Sequence, residues 1–452
     1  MMRTVFYLLA MSSACLTVIS CRSVPIAHNS NDLPAKSWMK TPFDRAVTAA
    51  QDSGKNLLYA GAASAVITPL RRGTFIAGFG PNRRSTGMLD PIEARVLYLN
   101  KGGHAAVIVT IDTAGVNDAW VWRLRRRLSM SPDMPLAVVA SHDHDGPDFM
   151  GLWGYWALYL LPVKSGVDAE YLDWVAGKID SALTRAVEHA ELARIVVAEG
   201  KAPARGLCFN EHDPENWDRT VGVVKIENLE GGTIATLVNF GCHPETLWQN
   251  NTLLSADYPG ILRARVEDAL GGLAFFLPGA LGAMVTPDIP RDTPVEDRIE
   301  FMRQLGEDVA DIAVNAIRHK GDPAGGTDVF YQRQEVSLAL NLPAARFLLG
   351  TGVIDRPTVG GSILTEVNLL EIGGAQFIMA PAELPPEVGR EIKGFMNAKH
   401  RFVVSTTNDE LGYALNLKQC VDPGYSYEQT ARVSADLYTQ VMAASRKLLE
   451  GK

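Results

Sequence analysis

Leu136-Ala137-Val138-Val139-Ala140-Ser141-His142-Asp143-His144-Asp145-Gly146-Pro147 is the stretch on which the reading of this chain turns. Its first five residues form a continuous apolar run, the mark of a strand buried on both faces. The last seven form a polar turn closed by Gly-Pro. Two histidines at i and i+2 just past a strand end point the same way, so both imidazoles can reach one cation. Binding residues concentrate in loops of this kind. The adjacent carboxylates can orient the imidazoles by accepting their second N–H. A solvated turn would look the same, so the pattern needs support from elsewhere in the chain.

Three other turns supply it. The strand pattern Thr233–Phe240 ends in Gly241-Cys242-His243-Pro244-Glu245. Met379-Ala380-Pro381-Ala382-Glu383 places a carboxylate after the strand Phe377–Met379, and Thr406 to Tyr413 follows the strand Phe402–Val404. A nucleophilic Cys242–His243 dyad is disfavoured, because neighbours on a strand face opposite ways. Ala105–Ile111 and Ala274–Leu277 also read as strands. Asp168–His189 reads as an amphipathic helix with Leu172, Val175, Ile179 and Val187 on one face. Thr293-Pro294-Val295-Glu296 reads as a capping box that opens a helix through Ile299, Met302, Leu305, Val309 and Ile312. Ser426 is expected to cap a final helix running through Val433, Leu437 and Val441. The fold class is α/β, a mixed α+β pattern of strand-rich sheets flanked by helices. No long linker breaks it after residue 60, which predicts a single large catalytic domain over 58–452.

The composition sets bounds on function. Of 452 residues, 47% are hydrophobic, enough for a substantial core, and a net charge of −8 gives nucleic-acid binding no electrostatic support. The start, Met1-Met2-Arg3 followed by the apolar run Val5–Ile19, reads as a signal peptide over residues 1–21. It closes on Val18-Ile19-Ser20-Cys21, which resembles a bacterial lipobox with Cys21 as the lipidated residue; an ordinary signal peptide cut nearby is the alternative. The expectation is an exported protein of the bacterial cell envelope, held at the membrane through its lipidated N-terminus, with residues 22–57 as a tether. Cys208, Cys242 and Cys420 allow one disulfide and do not say which. Phe149–Leu161, rich in aromatic and aliphatic residues directly after the two-histidine loop, reads either as a buried helix or core loop, or as an apolar wall or membrane-facing lip beside the site.

A series of short motifs then resembles the catalytic domain of the neutral ceramidases. Gly61-Ala62-Ala63 through Val66-Ile67-Thr68-Pro69, Gly78-Phe79-Gly80, and Gly87-Met88-Leu89-Asp90-Pro91 leading to Ala94-Arg95 are similar to its opening. Ser141–Pro147 is similar to its HTHSGP segment. Phe240–Pro244 with Ser255–Gly260 resembles its second histidine block, and Gly279–Pro287 its glycine-rich block. Pro381–Glu383 resembles its PGE block and Asn408–Tyr413 its N-x-x-x-x-Y block. The motifs run in order from about residue 58 onward.

The resemblance implies one zinc ion per chain, with His142, His243, Glu383 and Tyr413 as ligands. It implies a zinc amidase acting on an N-acyl, ceramide-like lipid through metal-activated water. His144 would then be a catalytic non-ligand that shuttles protons, and Tyr413 would also work on the developing oxyanion. Thr286 stands where the family carries a serine and is a further catalytic candidate. Asp112, Asp145 and Asp257 are the carboxylates expected to support the ligands. The sequence departs from the family pattern at Val66, where an aspartate is expected, and at Phe209-Asn210-Glu211-His212, which lacks an arginine. The family's C-terminal immunoglobulin-like domain has no counterpart in these 452 residues. A metal hydrolase of another class, an amidohydrolase or esterase, and a non-catalytic lipid-binding lipoprotein are the alternatives.

Overall fold

Alternation along the strands shows which layer each side chain joins. The computed structural model describes residues 57–102, 104–128, 135–323 and 327–450; Cys21 and residues 22–56 of the tether lie outside them. In chain order the principal elements are β1 (Leu58–Val66), β2 (Glu93–Lys101), β3 (His104–Ile111), α1 (Asp118–Arg127), β4 (Leu136–Ala140), α2 (Ala169–Glu188), β5 (Glu191–Lys201), β6 (Thr220–Asn228) and β7 (Thr233–Phe240). They continue with α3 (Asp257–Leu270), β8 (Leu273–Pro278), α4 (Val295–Lys320), β9 (Val329–Ala339), α5 (Pro343–Gly350), β10 (Ser362–Ile372), β11 (Ala375–Met379), α6 (Pro386–Phe395), β12 (His400–Val404), α7 (Ser426–Thr430) and α8 (Leu437–Glu450).

The first sheet has the order β8-β7-β6-β5-β1-β2-β3-β4, and the second the order β9-β10-β11-β12. On β2, Leu97 and Leu99 face the second sheet, whereas Val96 and Tyr98 face α1 and α2. This two-residue period places one apolar set between the sheets, with Ile108, Val139, Leu237, Phe377 and Phe402. The outer face of β6, β7 and β8 packs on α3 and α4 through Val223, Phe240, Phe276, Leu262 and Val309. The outer face of the second sheet packs on α6 and α8 through Leu338, Leu369, Ile392 and Val441. The result is a four-layer stack: helices, sheet, sheet, helices. Strands covered on both faces must be apolar throughout, which is why β3, β4 and β7 read as continuous runs.

Local signals explain several boundaries. Asp168 caps α2 by accepting from the backbone N–H of Glu170 and Tyr171. The expected capping box at Thr293 does not form. Pro294 is extended (φ −56°, ψ 153°) and α4 begins at Val295 without a side-chain cap, while the Thr293 carbonyl accepts from Arg298. The last helix is also not continuous from Ser426. It breaks after Thr430 because Arg432 pairs with Gly412 and Val433 N–H donates to the Leu411 carbonyl, and it resumes at Leu437.

Among the strands named above, three pairs are parallel: β3 with β4, β7 with β8, and β11 with β12. Their carboxyl ends lead into the four turns singled out above. Ligands bind beyond the carboxyl ends of parallel strands in open α/β sheets, and here both sheets direct such ends to one place.

Candidate metal centre and its cavity

His142 and His144 leave the end of β4, His243 leaves β7, and Glu383 follows β11. All four side chains are buried. His142 Nδ1 lies 2.6 Å from the Ala114 carbonyl and His243 Nδ1 lies 2.8 Å from the Val285 carbonyl. A carbonyl oxygen can only accept, so Nδ1 of each ring carries a proton and Nε2 is the nitrogen left to face the centre. These Nε2 atoms converge. His142 Nε2 is 3.4 Å from His144 Nε2 and 3.5 Å from Glu383 Oε2, which is 3.0 Å from His243 Nε2. Zinc–ligand bonds near 2 Å in a tetrahedron separate the ligand atoms by about 3.3 Å, so the donor set fits a zinc-sized cation. His142, His144 and His243 offer nitrogens that all lie within 4.8 Å of one another, a group able to hold a metal.

The charge balance points the same way. Burial opposes charge on His243, yet the Glu383 carboxylate raises its pKa to about 9, and the two histidines hold Glu383 well below its usual range despite burial. The floor therefore already supports a cation beside Glu383, a charge that a divalent ion held by His142, His243 and Glu383 would supply in place of the His243 proton. His144 behaves differently: burial lowers its pKa to about 4, only partly offset by Glu245. Its Nδ1 faces Glu245 Oε2 at 3.3 Å, an ion-pair distance without hydrogen-bond alignment.

The backbone around the centre is held in uncommon conformations. His142 has φ +66°, and six of the ten non-glycine residues with positive φ among the described residues line the adjoining cavity: Asn82, His142, Leu158, Tyr159, Trp248 and Met284. Such strain persists only where surrounding contacts enforce it and clusters at functional sites. Gly78, at φ +101°, has no room for a side chain because a Cβ there would strike the His144 ring. Arg83 secures the same loop by donating to the carbonyls of Ala77 and His144, with Asp145 at 3.5 Å.

The cavity has a volume of about 1200 Å³. His142, His144, Glu245, Glu383 and Tyr413 form its polar floor. Its apolar lining includes Phe79, Leu152, Trp153, Trp156, Leu158, Leu160, Ala345, Leu348, Leu349, Ile354 and Val433. Backbone pairing sets Tyr413 beside Glu383, with Glu383 N–H donating to the Gly412 carbonyl and Ala414 N–H to the Glu383 carbonyl. The Tyr413 hydroxyl lies 3.4 Å from Met284 Sδ, and burial pushes its pKa well up, so it remains an O–H donor.

No protein-family model and no curated protein matches this sequence. Solved structures do. A neutral ceramidase from Pseudomonas aeruginosa aligns with a TM-score of 0.73 and 16% identity over 88% of this chain and 75% of its own. The fold is that of neutral ceramidase. A ceramidase complexed with C2 aligns with a TM-score of 0.70 and 14% identity, over 87% of this chain and 75% of its own.

On this neutral-ceramidase fold, the remaining residues singled out from the sequence sit one step or more from the convergence point. Thr286 does not line the main cavity; its hydroxyl donates to Glu245 Oε1 at 2.6 Å. The carboxylates expected to orient the imidazoles have other partners. Asp112 forms a buried bidentate pair with Arg263, Asp145 accepts from Asn251, and Asp257 accepts from the backbone and hydroxyl of Thr246. Backbone carbonyls orient His142 and His243, and Glu245 faces His144. Burial opposes charge on Glu245, yet His144, His243 and Thr286 hold its pKa down to about 2. The sequence reading quoted Glu245 only as part of the His243 turn; its pairing spans 101 residues, and no local signal marks it. Cys242 is bonded to Cys208, which removes the thiol and with it the Cys242–His243 dyad.

Proposed function

We propose that this chain is a zinc-dependent amidase acting on an N-acyl, ceramide-like lipid, and that His142, His243 and Glu383 hold the zinc. The observation that carries this reading is the convergence of two Nδ1-anchored imidazoles on one carboxylate, Glu383 Oε2 lying 3.5 Å from His142 Nε2 and 3.0 Å from His243 Nε2, in a large cavity with an extensive apolar lining. The ceramidase fold supports the same reaction class. Bound zinc would polarise the scissile carbonyl and lower the pKa of a water molecule.

The chain's own groups would do the rest. His144, neutral and backed by ionised Glu245, would take the proton from water and deliver it to the departing amine as the C–N bond breaks. Glu245 would stabilise the imidazolium formed between those two events, with Thr286 fixing the carboxylate. Tyr413 would donate its hydroxyl to the carbonyl oxygen as that oxygen gains charge. The apolar lining would hold the hydrocarbon parts and exclude water.

The clustering of three imidazole nitrogens within 4.8 Å favours a second reading, in which His144 is a metal ligand. One preparation series tests both. Wild-type protein and His144→Ala are assayed for zinc and for hydrolysis of a panel of N-acyl amides and esters. The proposal expects amide turnover by the wild type, abolished by a chelator and restored by zinc, with zinc retained but turnover lost in His144→Ala. Loss of zinc from that variant would favour the three-imidazole site, and no turnover of any amide would overturn the amidase reading.

A further inference from the structure

Phe149–Leu161 is not a buried helix. It forms turns and enters a hairpin whose short strands, Tyr155–Ala157 and Leu161–Lys164, pair Tyr155 with Lys164 and Ala157 with Leu161. Polar contacts hold the base firmly. Asn82 exchanges two hydrogen bonds with the Trp156 backbone, Trp153 Nε1 donates to the Phe79 carbonyl, and Asp148 accepts from the N–H groups of Met150, Gly151 and Trp153. The buried Trp156 faces inward.

Above this base the apolar side chains point into water. Leu158 is 84% exposed, Val163 61%, Leu161 54%, Tyr159 52% and Tyr155 47%. Leu158 and Tyr159 are both held at positive φ, 53° and 58°, a conformation that costs branched or bulky residues free energy. A firmly anchored loop that keeps strained, exposed leucine and tyrosine is not exposing them through looseness.

We propose that this hairpin tip docks on a lipid bilayer. Three observations select that occupant. First, Leu158, Tyr159 and Leu160 also line the cavity, so the exposed surface continues into the site. Second, residues 149–167 contain no aspartate or glutamate, in a chain that has 51, and their one cation, Lys164, is exposed at the base of the tip. That arrangement suits an apolar insertion flanked by anionic headgroups. Third, the tip offers five side chains, whereas a stable protein interface takes about 20 to 30 residues a side. Shallow insertion by roughly 5–10 Å needs only a few leucines and interfacial tyrosines. Where the proposed lipid substrate is correct, its chain passes from bilayer to metal along one apolar surface; the docking itself stands apart from that reading.

The test uses the full chain carrying Cys21→Ser in every sample, so that no acyl group contributes. Protein is sedimented with vesicles of phosphatidylcholine, with and without phosphatidylglycerol, and compared with Leu161→Ser/Val163→Ser, whose side chains do not line the cavity. The parent is expected to sediment with vesicles, more so with the anionic lipid, and the double variant to bind about tenfold more weakly, given the apolar area removed. Thermal melting and turnover of a short-chain, water-soluble N-acyl amide should match between the two. A parent that stays in the supernatant, or a variant that sediments equally well, overturns the proposal. So does vesicle-free self-association of the parent that the variant lacks. If neither protein hydrolyses the soluble amide but binding still depends on the tip, the amidase reading fails and the docking surface stands.

Discussion

The cavity floor and the cavity rim are built by opposite rules. On the floor every functional side chain leaves the end of a ladder-bonded strand, is buried, and has its far ring nitrogen or its backbone fixed by a neighbour. On the rim the hairpin 155–164 is pinned only at its base and exposes its apolar tip. The difference separates chemistry from access. A metal centre tolerates little misplacement, so it rests on ladders from two sheets; a surface that meets a fluid lipid phase needs no such registration. Substitutions on the floor should therefore change rate or metal affinity steeply, and substitutions of the tip residues outside the cavity, Leu161 and Val163, should change neither.

The largest effects are expected from the two floor residues that would not hold the metal. Tyr413→Phe should lower kcat by about 10² to 10³, the usual consequence of losing one oxyanion donor. His144→Ala should lower it by about 10² to 10⁴. Both should keep their zinc, and measuring kcat and metal content on the same preparations checks this. Wild-type kcat in either variant would break the assignment.

Glu245→Gln sharpens the comparison within the floor. It keeps the side-chain shape and removes the charge behind His144. The expected loss is about 10- to 100-fold in kcat/KM, in line with other partners of active-site imidazoles. Because burial lowers the His144 pKa and Glu245 partly offsets this, the variant should also move the acid limb of the pH–rate profile to lower pH. An unshifted profile with full activity would reduce Glu245 to packing. The smallest effect, within about twofold on a soluble substrate, belongs to Leu161→Ser/Val163→Ser at the rim, because surface substitutions away from special features seldom exceed about 0.5 kcal/mol.

Parts of this arrangement were legible in the sequence for identifiable reasons. Strands covered on both faces announce themselves as apolar runs, so β3, β4, β7, β8, β11 and β12 could be read, and Asp168 marks the start of α2 directly. Strand β9 was not legible. Gln332, Arg333, Gln334 and Glu335 give it the look of a loop, because its pairing with β10 comes from residues some thirty positions away. At the site, the four strand-end turns could be read from the residues, and the resemblance to the neutral ceramidases picked His142, His243, Glu383 and Tyr413 out of them. Glu245 and the Cys208–Cys242 bond could not be read, since each depends on bringing distant segments together. The helix expected through Val433 does not form because Arg432 and Val433 pair with the Leu411–Gly412 backbone next to Tyr413, a contact no local signal announces.

The central claim is that His142, His243 and Glu383 hold one zinc ion. Elemental analysis of the purified chain beside His142→Ala, His243→Ala and Glu383→Gln tests it most directly. About one zinc per wild-type chain is expected, as three such protein ligands imply, and a small fraction of that in each variant. Full zinc retention by both histidine variants, with cooperative melting unchanged, would contradict it.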